Sequence, residues 1–491
     1  MKEWKNTIKK YVARPAYFVK AKSVEELRDA VKLAEDKNIK IRAVGSGHSF
    51  SDIAIVPQGG VLVDISKIDF FQLYSKEKTK LAFKEKKLVE TGGGITIKKL
   101  NRCLDRENLS IINMGGIDHQ TIAGAFSTAT HGTGINLPSM PGMIRSIVIV
   151  TSGSKIYRIE PENGITDPAN HNESNTTLLQ DDHIFNAVVV GLGCMGIIYS
   201  VVMEVENMYW LREVKRVYPW EEVKPLLANR SLHHGMRGVM VQVNPYTVDH
   251  RRSCVVVTHE YLSELPLRHR TYNEATRNLL PILGNNPLVY AFLIHRMNRK
   301  MEKMPKMLES SLKSVQDKVY LNRAHKVLYQ GIEYVKERAF DSEFAFDLST
   351  NSYLDAVEEL FEKAAEIADK YRLYQSAPIG FRFVQKSTAY MAPEYNRDVC
   401  YIDTPFLLKA KGSEVILQEY QKIMFRHGGI PHWGKINSIL DTNTEKIPEL
   451  YPKFTDWQQV IFTFNSSGIF NNYFTKRLKL EKDLPVSDQI V

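Results

Sequence analysis

The chain has 491 residues, 43% of them hydrophobic and 25% charged, with a formal net charge of +9. That length exceeds one ordinary hydrophobic core, so two domains are expected, and the composition excludes a disordered or membrane-spanning chain. The basic excess, 65 Lys and Arg against 56 Asp and Glu, is modest and spread out, so no nucleic-acid partner is expected.

The opening stretch MKEWKNTIKKYVARP lacks the continuous apolar core of a secretory signal. Four well-separated cysteines, Cys103, Cys194, Cys254 and Cys400, suggest neither a zinc site nor a disulfide framework; a cytoplasmic location is expected. Ser23 and Glu26 form a capping-box pattern, with Leu27, Ala30, Val31 and Ala34 on one helical face. Strands are expected at Lys40 to Val44 and Val61 to Asp64, with the turn GSGH between them. Helix, strand, glycine loop, strand is the context of a backbone-lined anion site. The imidazole of His48 in such a loop calls for an explanation.

Ile97, Leu100 and Leu104 mark a second helix. Two further glycine stretches, TGGG from Thr91 and the run Gly115 to Gly134, join the first within 135 residues. Several backbone segments closing on one long phosphate-bearing cofactor would need such loops, because removing Cβ lets N–H groups approach closely. RSIVIVTSGSKIYRIE reads as a hairpin turning at Ser152 to Ser154. GLGCMG, Gly191 to Gly196, matches GxGxxG, yet Ile197 to Val202 after it favour a strand. A nicotinamide-binding Rossmann unit, which needs a helix there, is not expected.

From about Met208 the texture changes. Val357, Leu360, Phe361, Ala364, Ala365 and Ala368 follow helical spacing, as do Ile416, Tyr420, Ile423 and His427, while CVVVTHEY and FRFVQ are strand-like. A second α+β domain is expected. HRMNRKMEKMPKM, His295 to Met307, follows the apolar LVYAFLI; a solvated helix end is the first reading and peripheral membrane contact the second. HEY at His259 lacks a second metalloprotease histidine, and His233 and His234 diverge, so no metal site is expected.

RAVGSGHSFSD, VETGGGITIKKLN, NMGGIDHQTIAGAFSTATHGTG, GLGCMGIIYSVVMEV and PHWGK, in that order, resemble the sugar-1,4-lactone and alditol oxidase branch of the vanillyl-alcohol-oxidase flavoproteins. This branch includes L-gulonolactone oxidase-like and D-arabinono-1,4-lactone oxidase-like proteins. The resemblance covers the first 210 residues almost continuously and returns at PHWGK and SGIFNNYFTKRL. It implies an α+β fold, with a PCMH-type FAD-binding domain over residues 1–207, an α+β cap over 208–454, and a return from 455 to 491. It implies FAD bonded covalently through His48. Further cofactor contacts would come from Val44, Gly45, Ser46, Gly47, Ser49, Gly94, Gly115, Gly116, Thr121, Gly124, Ala125, Thr128, Thr130, His131, Gly132, Gly193, Gly196, Ile198, Lys435 and Asn472. Lys435, Arg382 and His432 are the expected catalytic residues.

One departure stands beside the match. Where the family carries Glu-x-Arg, this chain has Gly380 and Arg382, and where alditol oxidases have His-x-Thr it offers Asp403 and Pro405. The expected reaction is oxidation of a CH–OH group of a lactone, alditol or related alcohol, with dioxygen or another acceptor taking the electrons. Ala129 and Thr130 are the expected gatekeepers toward dioxygen. The rivals are a dehydrogenase of the same fold and a membrane-associated flavin-binding protein that has lost catalysis.

Overall fold

A computed structural model describes residues 3–171, 173, 175–265, 287–330 and 339–481; the last ten residues of the expected return, 482–491, lie outside them. The stretch Ile41–Val44 forms an edge strand of a three-stranded parallel sheet, with Val61–Asp64 central and Tyr17–Lys20 on the other side. Parallel neighbours need a crossover, and helix Val24–Asp36 is part of it. Ser23 caps the helix through the Glu26 N–H, and Leu27, Ala30, Val31 and Ala34 are its buried face, as the spacing predicts.

A second, seven-stranded sheet runs in the order Thr176–Gln180, Ile156–Glu160, Ile144–Val150, Ile197–Asn207, Lys87–Gly92, Phe71–Leu73, with Leu109–Ser110 beside Ile197–Asn207. The hairpin turn falls at Ser152–Ser154, where Gly153 takes φ 73°. GLGCMG opens into the strand Ile197–Asn207 and not into a helix. Together the two sheets share one large apolar core.

The third sheet has eight strands, ordered Lys318–Arg323, Trp210–Pro219, Ser253–Leu262, Gly238–Val243, Ile379–Val384, Val399–Leu407, Ala339–Asp347, Ile430–Pro431. Alternation along a strand sends successive side chains to opposite faces. Phe381, Phe383, Ile402, Phe344 and Phe346 go one way, into a core shared with helices Ser352–Tyr371 and Ser413–Arg426. Gly380 and Arg382 go the other way, with their cross-strand partners Asp403 and Tyr401; Glu343 lies opposite Asp403 on the next strand. Tyr401 and Ala345 on this second face belong to the core of the first two sheets. The polar row therefore looks onto the N-terminal half of the chain.

Helices Phe454–Phe464 and Tyr473–Arg477 return to that half, burying Trp457, Val460, Phe464 and Phe474 in its core. Trp433 and Tyr451 join the same core. No helix among the described residues is long and apolar enough to cross a membrane.

Candidate active site

A cleft of about 920 Å³ runs between the first sheet, the loop at Gln120 to Thr128 and the turn at Leu192 to Gly196. Val44, Gly45, Ser46, Gly47, His48, Ser49, Thr121, Gly124, Thr128, Gly193, Gly196 and Ile198 line it, bringing together twelve of the residues singled out in the sequence. The glycines are needed there. A Cβ at Gly45 would overlap the Thr121 side chain, and Gly47, at φ 70°, presses on the Trp4 ring. A narrow, backbone-walled cradle is what a dinucleotide phosphate chain requires.

Arg42 is a site residue that the motifs did not single out. Its guanidinium is buried beside the cleft and donates to the carbonyls of Gly193, Phe470, Ile53 and Leu192. Burial pushes its pKa down. Among the described residues no carboxylate pairs with it, so its charge is left to favour an anion in the cleft. Its place on the strand Ile41–Val44, where inward side chains are otherwise apolar, was the available signal. The cleft fits FAD: glycine cradle, buried cation and apolar walls such as Ile55, Ile65 and Ile198.

The other expected cofactor residues lie off the cleft lining. Gly94 packs against the Ile65 carbonyl and Gly132 against Asn113, with no room for a side chain at either. Ala125 sits in the core of the short helix Ile122–Phe126. Gly115 backs onto Thr130, which accepts a hydrogen bond from Gln120 at 3.3 Å. Gly116 lies against Gln330 and Arg382. Asn472 caps the last helix, and its amide holds the Ile53 and Ile55 carbonyls of the cleft wall at 3.0 and 2.9 Å.

At one end of the cleft His48 lies edge-on to His119, ring centres 6.3 Å apart. Next to His119 in sequence, Gln120 lines the cleft, and a few residues before it Gly116 meets Arg382, which donates to Gln330 at 3.1 Å. PHWGK approaches the same loops. Trp433 anchors it, buried, donating to the Met391 carbonyl at 2.7 Å. Gly434 accepts from the Phe50 N–H at 2.8 Å, and Trp433 accepts from Ser51. The turn is zipped along strand Ala339–Asp347 by His432 N–H to the Glu343 carbonyl and Ile436 N–H to that of Asp341.

That zipper sets Lys435 between two carboxylates. Its ammonium bonds Asp341 and lies 3.6 Å from Glu343. Burial disfavours the ammonium, but Asp341, Glu343 and Asp403 outweigh it and raise its pKa. Burial likewise opposes ionisation of Glu343, yet Lys435 and His131 hold its carboxyl well below the usual range. Asp403 goes the other way: burial and the Asp341 charge push it well up, only partly offset by Lys435. His131 stacks on Tyr401 at 3.6 Å and reaches Glu343 at 3.3 Å. Burial pushes His432 down to about 3, so it is neutral.

His131, Glu343 and His432 bring ligand atoms within 4.8 Å of one another, a grouping absent from the linear spacing. His432 offers no lone pair to a metal, however. Its Nδ1 accepts the Gly434 N–H at 3.0 Å, and its Nε2, which then carries the proton, faces the Ala129 carbonyl at 3.3 Å. Ala129 itself sits at φ 59°, a left-handed conformation that turns this carbonyl onto the histidine. Asp341 and Glu343 were missed in the sequence. Their strand carries no motif, and only pairing with Asp403 and the PHWGK turn reveals them.

Residues 15–160 match the family model described as FAD binding domain, and residues 203–478 match that of D-arabinono-1,4-lactone oxidase. The chain is 24% identical to L-gulono-1,4-lactone dehydrogenase of Mycobacterium tuberculosis, covering 97% of this chain and 98% of that one. It is 24% identical to L-gulonolactone oxidase of Scyliorhinus torazame, covering 96% and 98%. In fold it is similar to cholesterol oxidase from B. sterolicum, with a TM-score of 0.74 at 14% identity over 97% of this chain and 96% of that one.

Proposed function

Because the chain belongs to the D-arabinono-1,4-lactone oxidase family, we propose that it oxidises a CH–OH group of a sugar 1,4-lactone, an alditol or a related alcohol. It is an FAD-linked oxidoreductase. FAD supplies the hydride acceptor when bound. The chain's own residues bind, orient and charge-balance around it.

The observation that carries the reading is Lys435, a half-buried ammonium fixed by Asp341 and Glu343 on the turn that docks against the cleft loops. A preorganised cation there would stabilise the negative charge that the hydride acceptor gains as it is reduced. Arg382, on the same sheet face, has a planar guanidinium suited to holding a substrate oxygen. His48 lines the cleft, and as an imidazole it can bond covalently to the flavin ring; we assign it that tether. The proposed division remains 1–207, 208–454 and 455–491, with dioxygen or another oxidant as electron acceptor and a cytoplasmic location.

Anaerobic titration with a panel of lactones, alditols and other secondary alcohols tests the activity: at least one should bleach the flavin. A panel without effect would refute it. Oxygen uptake in the same samples distinguishes oxidase from dehydrogenase.

Peripheral membrane contact is also part of the reading, supported by helix Pro287–Asn298. Leu288 and Phe292 are 79% and 62% exposed, and Arg296, Arg299, Lys300, Lys303 and Lys306 follow, all exposed. Exposed apolar side chains rimmed by cations suit an anionic bilayer. Flotation with phosphatidylserine-containing vesicles, abolished by Phe292→Ser with Lys300→Glu, is the expected result.

A further inference from the structure

Strand pairing puts Gly380, Asp403 and Glu343 in one row, with Asp341 two residues from Glu343 on the same face. Asp341 is 8% exposed. Its Oδ1 and that of Asp403 are buried and meet no donor among the described residues, while Asp341 pairs with Pro405, two residues from Asp403, so that the two carboxyl side chains are diagonal neighbours on one face of adjacent strands. Two buried carboxylates cannot face each other as anions; one proton must lie between them. The groups facing the pair are Lys435 and Glu343, with His131 and His432 behind Glu343.

Gly380 leaves the space beside this pair open. A Cβ built there would meet only Asp403, at 3.5 Å or more. Arg382 borders the same opening two residues along the strand. The pair therefore stands between a cation that can hold a substrate oxygen and the cation that balances charge.

We propose that Asp341 and Asp403 share one proton and together form the base that takes the hydroxyl proton of the substrate. This rests on the CH–OH oxidation proposed above. In the step, the C–H electron pair leaves with its hydrogen as hydride to the isoalloxazine oxidant, the O–H bond breaks, and the C=O bond forms. The O–H proton enters the Asp341–Asp403 pair, which then holds two protons beside Lys435. Asp341 and Asp403 thus do by pairing across strands what a single carboxylic side chain at position 380 could do alone.

Infrared spectroscopy of the protein, with and without flavin, should show a buried protonated-carboxyl stretch that shifts in D2O and disappears in Asp403→Asn. In rapid-reaction flavin reduction, Asp403→Asn should lower the limiting rate about 10²- to 10⁴-fold. It should leave the apparent dissociation constant within a few-fold and remove the acid limb of the pH profile. Asp403→Glu, which the opening at Gly380 can accommodate, should recover much of the rate, and thermal melts should confirm that each variant is folded. Absence of the carboxyl band would overturn the shared proton. Wild type reduced normally alongside an equally fast Asp403→Asn would overturn the base and leave the parent reading standing. Wild type that no alcohol or lactone reduces would overturn both.

Discussion

Lys435 is the central charge of the proposed site, and removing it separates two effects. Lys435→Met should slow flavin reduction about 10²- to 10³-fold, roughly 3 to 4 kcal/mol, with a much smaller change in substrate affinity, because the charge it would meet appears only as the acceptor is reduced. It also strands Asp341 and Glu343 in a buried setting, so the melting temperature should fall, whereas Lys435→Arg should keep most of the stability. His48→Ala should release flavin into the supernatant on acid precipitation, while wild-type flavin stays with the polypeptide. Two histidines set a pH dependence. Burial depresses His432 to about 3 and His233 to about 4 in the folded chain, from ordinary values near 6.5. The unfolded chain therefore binds protons below about pH 6.5 that the folded chain refuses, and stability falls as pH drops through that window. A melting temperature that does not decline between pH 7 and pH 5 would contradict this. Asp403, whose pKa is raised, opposes the two histidines by the one proton it keeps when folded, and Glu343, whose pKa is depressed, adds its own loss only below the ordinary carboxylate range.

At the level of elements, the glycines divide into those the backbone needs and one that opens space. Gly94→Ala drives a methyl into the Ile65 carbonyl and should cost about 1 to 3 kcal/mol, as overpacking does, measured by denaturant unfolding. Gly380→Ala meets only ordinary contact and should leave stability nearly unchanged. GLGCMG precedes a strand, so NADH should not reduce the flavin under anaerobic conditions. The helices at Val24–Asp36, Ile97–Arg106, Ser352–Tyr371 and Ser413–Arg426 were legible because their apolar positions recur at helical spacing. The glycine loops were legible because missing side chains are visible in a sequence. Asp341 and Glu343 were not, since AFDSEFAFD has the alternation of any half-buried strand; what makes them special is the neighbour each acquires through pairing.

Across the whole molecule, the C-terminal return is structural cement for the cofactor half. Lys40 bonds the Gly468 carbonyl and Ile41 N–H that of Ile469, Asn472 holds Ile53 and Ile55, and Arg477 grips Asp52. A chain cut at residue 453 would uncover Trp457, Phe464 and Phe474 of the core; it should be insoluble and colourless, where a soluble yellow product would contradict the arrangement. The resemblance at SGIFNNYFTKRL hinted at the return, but no local pattern says that these residues meet position 42. Arg42 ties Phe470, the Leu192–Gly193 turn and the Ile53 carbonyl to one guanidinium, segments up to 428 residues apart in the chain. A nascent polypeptide still short of residue 477 thus has the glycine loop but not its clasp. Flavin capture is therefore expected as a late step in biogenesis, after synthesis has passed that point.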